Sequence, residues 1–235
     1  MKDARQGLHS LGLTHLKRQG LIFNKAMTSN LLRRYTSLPA AMRILRQNSI
    51  TLLTSDTWDD INDRRLLAAY KEHYSYKSVL ALCFSSASET YHHWKVFAPG
   101  ADGICVVFNK DQLIESLPKD GFRHGPVRYY KIDELEHDRP GIEKIPFSKR
   151  VAYSDEKEYR ILSMESESHL RYKDVPIPRG AINRILVNPW LPEPLFDEVK
   201  CAIKSIPGYA SLKILQSRVT DGPAWRRLAD ELNEL

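Results

Sequence analysis

The chain has 235 residues, 42% of them hydrophobic, and a formal net charge of +6. That is enough apolar material for one large domain or two small ones, and no window nears the roughly 20 consecutive apolar residues of a membrane span. The N-terminus lacks the apolar centre and cleavage site of a secretory signal, and three widely spaced cysteines make neither a disulfide framework nor a zinc knot.

Cys83, Cys105 and Cys201 therefore read as reduced, buried thiols of a cytoplasmic protein. Residues 1–29 read as a basic leader, helical or disordered, with Arg5, Lys17, Arg18 and Lys25 among scattered leucines. Residues 30–235 read as a single α+β domain. Leu31–Ser37 (LLRRYTS) predicts a strand, and Pro39 suits the start of a helix running to Gln47. Ile50–Thr54 predicts a strand. The polar Ser55–Arg65 stretch follows, and Leu66–His73 predicts a helix.

The chain is organised around Val79–Phe108. Val79–Phe84 is an unbroken apolar run, too short for an ordinary buried helix, and predicts a core strand. Ser86 or Ser88 suits the cap of a following helix that carries Tyr91, Trp94, Val96 and Phe97. Pro99, Gly100 and Gly103 end that helix, and Ile104–Phe108 predicts a second core strand. Further on, Lys110–Leu117 reads as a short helix and Val127–Ile132 as a strand. Asp133–Ile145 has no periodicity and reads as a loop. Pro146–Ser163 begins helical or irregular and ends as a strand over Tyr159–Leu162. Ile182–Val187 and Ser211–Val219 predict strands. Leu195–Ile206 and Ala224–Leu232 predict helices. Strands and helices mix without strict βαβ alternation, which predicts an α+β fold with a mixed central sheet flanked by helices.

Three polar clusters interrupt apolar elements. Arg33, Arg34, Tyr35, Thr36 and Ser37 offer a guanidinium fork suited to a diphosphate or a carboxylate, or else a surface basic pair. Ser85, Ser86 and Ser88 can bond a ribose or an amide, or cap a helix. Alternation places Glu156 and Glu158 on one face, where two like charges repel unless something answers them; the alternative is a solvated acidic edge. Asp59, Asp60 and Asp63 could hold a divalent cation with Glu156, or shape turns. His92 and His93 diverge by about 100° on a helix and read as structural or solvent-facing.

Taken in order, Arg34-Tyr35-Thr36-Ser37, Trp58-Asp59-Asp60-Ile61-Asn62-Asp63, Cys83-Phe84-Ser85, Trp94, Gly103-Ile104, Phe108 and Glu156-Lys157-Glu158-Tyr159-Arg160 resemble the bacterial domain of unknown function 2971. The resemblance spans roughly Leu31 to Val219. It departs at Arg33-Arg34, where the family has a Tyr-His type start, and at Asn62-Asp63-Arg64-Arg65, where the family has Asn-Asp-Pro or Asn-Asp-x-x-Glu.

That layout is in turn similar to ADP-ribosyltransferases, which implies a mixed sheet split around an NAD cleft. The resemblance implies catalytic Glu158 and Glu156, and NAD contacts from Arg34, Tyr35, Thr36, Ser85, Ser86 and Trp94. Glu158 would face the positive charge that develops on the ribose as nicotinamide leaves, and Glu156 would orient or deprotonate the acceptor. Arg34 would grip the diphosphate or the adenosine ribose. NAD is the implied substrate, and a macromolecule, nucleic acid or protein, the implied acceptor. A toxin or phage-conflict role is implied by the company such enzymes keep. Two rival readings stand beside it. One is a non-catalytic nucleic-acid- or partner-binding protein, consistent with the net charge. The other is a metal-dependent nuclease using Asp59, Asp63, Asp155, Glu156 and Glu158 with Lys157. No glycine-rich phosphate loop is present.

Overall fold

The computed structural model describes residues 30–233, and the basic leader expected over residues 1–29 lies outside them. The chain opens with β1 (Leu31–Ser37), α1 (Leu38–Gln47) and β2 (Ser49–Thr54). Pro39 sits in the first turn of α1, and Asn48 ends the helix in the left-handed region at φ 49°. Then come α2 (Ile61–His73), β3 (Ser78–Ser85), α3 (Tyr91–Phe97), β4 (Gly103–Asn109) and α4 (Lys110–Glu115). The predicted core strands are β3 and β4, and every residue of β4 up to Phe108 is buried.

The second half holds β5 (Phe122–Pro126), β6 (Arg128–Tyr130), α5 (Glu134–His137), β7 (Ser148–Arg150), β8 (Glu158–Glu165), β9 (Tyr172–Pro176), β10 (Ile182–Val187), α6 (Glu193–Lys204), β11 (Lys213–Gln216) and α7 (Pro223–Asn233). Two 3₁₀ segments, Ile142–Phe147 and Val151–Glu156, flank β7.

Nine strands form one mixed sheet. Its main path runs β11-β10-β4-β1-β3-β2-β9, with β8 and then β5 branching from β3. β10 and β11 are parallel, and the other pairs in that sheet are antiparallel. β6 and β7 make a separate parallel pair. The large core lies on one face of the sheet, where Ala41 and Leu45 of α1, Leu113 of α4 and Ile203 of α6 meet Leu32, Leu80, Phe84, Val106 and Phe108. The opposite face is covered by two separate patches. Trp94 and Ala98 cover Tyr35, Cys105 and Val107. Leu67 and Tyr70 of α2 cover Val79, Ala81 and Leu162.

The structure corrects several expectations. α3 is capped by Thr90, whose hydroxyl accepts from the His93 amide at 3.2 Å, and not by Ser86 or Ser88. α2 starts at Ile61, earlier than the apolar pattern suggests, because Asp60 accepts the Asn62 amide at 2.9 Å and nucleates the first turn. Asp133–Ile145 is not all loop; it contains α5 and the start of a 3₁₀ segment. Cys201 is exposed on α6, whereas Cys105 is buried. The predicted Val127–Ile132 strand shortens to β6 and leaves the main sheet. β5 and β9 are polar and carry a proline or a glycine, as suits strands that pair on one edge only.

Candidate active site

The sheet is cut near its middle. β1 pairs with β4 at seven consecutive positions, but with β3 only at Arg33↔Ser85. On the same edge of β3, Leu80 and Ala81 pair with β2 instead. The interval between them leaves the Cys83 carbonyl without a strand partner, and Arg34 Nη1 donates to it at 3.0 Å. A cleft of about 520 Å³ opens over this cut, within the range of small-molecule sites. Arg33, Tyr35, Trp58, Ser85, Phe97 and Glu158 are among its lining residues.

Register places three polar residues in one row across this face. Arg33 on β1 faces Ser85 on β3, and Ser85 faces Glu158 on β8. With strands about 4.8 Å apart, Arg33 and Glu158 stand roughly 10 Å apart at the backbone. All three are buried. The Ser85 hydroxyl donates to the Glu156 carbonyl at 2.7 Å and accepts from the Ala87 amide at 3.1 Å. Arg33 Nη1 donates to the Ala87 carbonyl at 2.6 Å. The row therefore fixes the turn that carries the two glutamates. That turn needs help, because Lys157 between them adopts φ 42°, a conformation disfavoured for a residue with a side chain. Ser86 supplies it: its amide and its hydroxyl both donate to the Lys157 carbonyl, at 2.9 and 2.7 Å.

Both carboxylates reach one cation. Lys149 Nζ lies 2.7 Å from Glu156 and 3.2 Å from Glu158. Arg160, fully buried, donates to both Glu158 oxygens at 2.5 and 3.0 Å, to Asp63 at 2.5 Å and to the Pro146 carbonyl at 2.9 Å. Its guanidinium sits 5.2 Å from the Trp58 ring centre. Three carboxylates thus contact two cations at the β8 end of the cleft, and the Arg34 guanidinium also interacts with Glu158.

The two glutamates are driven apart electrostatically. Burial alone would raise both. At Glu158 the Arg160 guanidinium and Lys149 overcome burial and hold the carboxyl down at about 2. At Glu156 burial prevails over Lys149, and the pKa rises above the ordinary value. Burial lifts the Cys83 thiol well above its usual range, so it stays protonated. The Glu158 amide donates to the Tyr129 hydroxyl at 2.7 Å.

No family model and no curated protein matches the chain. It is similar to three solved structures of Thermus sp. 2.9 DarT. The complex with ADP-ribosylated ssDNA is 13% identical over 80% of this chain and 94% of that one, at a TM-score of 0.43. The NAD+ complex is 15% identical over 80% and 96%, at 0.42, and the carba-NAD+ complex 14% identical over 81% and 96%, at 0.39. The likeness to domain of unknown function 2971 rests on its motifs alone.

The expected site residues part company in the structure. Glu158, Glu156, Ser85, Tyr35 and Arg34 line the cleft; Thr36, Ser86 and Trp94 are not among its lining residues. Trp94 is fully buried in the α3 patch, packs edge-on to Tyr35 at 5.2 Å, and donates to Glu89 at 2.7 Å. Arg33, not Arg34, is in register with Ser85 and Glu158. The sequence points to neither Lys149 nor Tyr153, and to Arg160 only as the last residue of the Glu156–Arg160 motif. Arg160 had a signal, since a lone arginine inside the apolar run YRILS must find buried anions. Asp59 and Asp60 line the cleft, but Asp60 caps α2, and among the described residues no group of three or more histidines, cysteines or acids has the geometry to hold a metal ion.

Proposed function

We propose that the protein is an NAD-dependent ADP-ribosyltransferase that modifies a macromolecular acceptor. The observation that carries this reading is the polarity of the cleft. Arg33 lies toward one end and the carboxylate-rich Glu156–Glu158–Asp63 cluster toward the other. NAD carries an anionic diphosphate and a cationic pyridinium ring, and it matches a cleft that is basic at one end and acidic at the other. Two buried polar atoms at its wall, Arg33 Nε and the Tyr35 hydroxyl, have no hydrogen-bond partner within the protein.

In this reading Arg33 binds the diphosphate, and Arg34 keeps the cut in the sheet open at its defined width. Tyr35 and Phe97 wall the cleft on the Arg33 side. Glu158, held ionised and in place by Arg160, faces the ribose C1′ as positive charge develops there. The bond from C1′ to the pyridinium nitrogen breaks, and its electron pair neutralises that ring. An acceptor N–H or O–H attacks C1′, and Glu156, whose proton affinity burial has raised, accepts the released proton. The site carboxylates are already engaged by Lys149 and Arg160, which counts against the metal-dependent nuclease reading.

The test is incubation with labelled NAD and cell extract, followed by separate digestion with nuclease and with protease. Label released by one digestion identifies the acceptor class. No NAD consumption and no NAD-induced rise in melting temperature would leave the binding-module reading in front.

A further inference from the structure

A second cavity of about 290 Å³ shares no lining residue with the cleft. Its lining brings together Arg64 and Lys71 of α2, Lys77 ahead of β3, and His169 and Arg171 from the turn before β9. Asp56 is the one carboxylate among its lining residues. None of these five basic side chains makes an ion pair among the described residues, although Arg43, Arg123, Arg128, Lys173 and Arg226 elsewhere all do.

The walls are fixed by backbone bonds rather than by those charges. Thr54 donates its amide to the Arg171 carbonyl at 3.2 Å. The Ser78 hydroxyl, buried, donates to the Ser168 carbonyl at 2.9 Å and accepts the Leu170 amide at 2.7 Å. Arg64 Nη1 donates to the Asp56 carbonyl at 3.0 Å and so leaves its remaining donors for other partners. Four permanent cations and a histidine converging on a concave site, with one carboxylate to answer them, repel one another. An oxyanion placed among them removes that repulsion and accepts charge-assisted hydrogen bonds.

We infer that this cavity is a binding site for a phosphate group. Phosphate has the charge and the number of acceptor oxygens to engage donors arriving from three separate segments. The group can belong to a small phosphorylated molecule or to the backbone of a nucleic acid.

The experiment uses the full chain, pyrophosphate as one probe and a labelled single-stranded oligothymidylate as the other. The comparison is the parent protein against Lys77→Gln/Arg171→Gln, both at exposed positions whose loss leaves the core intact. Pyrophosphate is expected to bind saturably and to raise the melting temperature. Binding by the double variant is expected to weaken at least about tenfold, the loss of one charge-assisted hydrogen bond. Pyrophosphate also fits the Arg33 cleft, so Arg33→Ala should remove that component alone and leave in place the component lost in Lys77→Gln/Arg171→Gln. Competition between pyrophosphate and the oligonucleotide assigns the site to a backbone phosphate; pyrophosphate binding without competition assigns it to a small phosphoanion. The inference is overturned if the parent shows no saturable pyrophosphate binding, if the double variant binds as tightly as the parent, or if Arg33→Ala abolishes binding.

Discussion

Arg33 and Ser85 make the single paired position between β1 and β3, and everything chemical in the cleft is arranged around that contact. Ser85 holds the Glu156 carbonyl, Arg33 holds the Ala87 carbonyl, and Glu158 completes the row.

Replacing Glu158 by Gln should leave NAD binding in place and lower transfer by roughly 10²–10³, the cost of one preorganised electrostatic group. The variant should also melt earlier than the parent. Arg160 loses an anionic partner at both of its bonds to Glu158 and keeps only Asp63, and disrupting a buried ion pair costs about 3–5 kcal/mol. Labelling kinetics and thermal melts on one preparation check both effects. Unchanged labelling would remove Glu158 from the mechanism.

Glu156→Gln should separate two activities. Acceptor labelling should fall while slow NAD hydrolysis persists, since water can still attack the ribose carbon. Equal loss of both would make Glu156 a structural partner of Lys149 and nothing more.

Arg33→Ala should abolish the NAD-induced rise in melting temperature, which for a parent at 100-fold ligand excess over Kd corresponds to about 2.7 kcal/mol. Arg34→Ala should instead lower the melting temperature of the free protein, because it strips the Cys83 carbonyl of its donor. The reverse outcome would return the ligand-gripping role to Arg34.

Acid should destabilise the fold in a defined window. Glu158 is held at about 2 against an ordinary value of 4.5. A depressed carboxyl contributes stability that is complete above the unfolded value and lost as pH falls toward the folded one. Unfolding free energy should therefore drop by on the order of 3 kcal/mol between about pH 4.5 and 2. Glu156, shifted upward, acts in the opposite sense. Denaturant titrations at stepped pH check this, and Glu158→Gln should flatten the profile.

Gly103→Ala should destabilise by about 1–3 kcal/mol. An added Cβ would lie 2.5 Å from the Ala98 carbonyl oxygen and 3.0 Å from the Asn188 side chain. A melt unchanged from the parent would show that the end of α3 can move aside.

The strands that build the centre of the fold were legible because β3 and β4 are buried on both faces, so their sequences are apolar without interruption. The Glu156–Glu158 pair and Ser85 were legible as polar residues at the ends of such runs. The choice between Arg33 and Arg34 was not. LLRRYTS alternates acceptably in either phase, and only pairing with Ser85 decides which arginine faces the glutamates. Lys149 sits in a three-residue strand with no periodicity to mark it. Trp94 misled for the opposite reason: an aromatic beside polar motifs looks like a ligand platform, yet contacts with Tyr35, distant in sequence, and with Glu89, five residues before it, draw it fully inside.

The one-rung joint between β1 and β3 also shapes how the molecule should breathe. The five strands β5, β8, β3, β2 and β9 and the four strands β1, β4, β10 and β11 should behave as two leaves of a book whose spine is the large core shared on the opposite face. Amides deep in either leaf should exchange with solvent only on global unfolding, while those bordering the gutter at Tyr35 and Cys83 should exchange by a local parting of the leaves. A molecule lying across the gutter would act as a clasp, slowing exchange along both margins at once, including at residues it never touches.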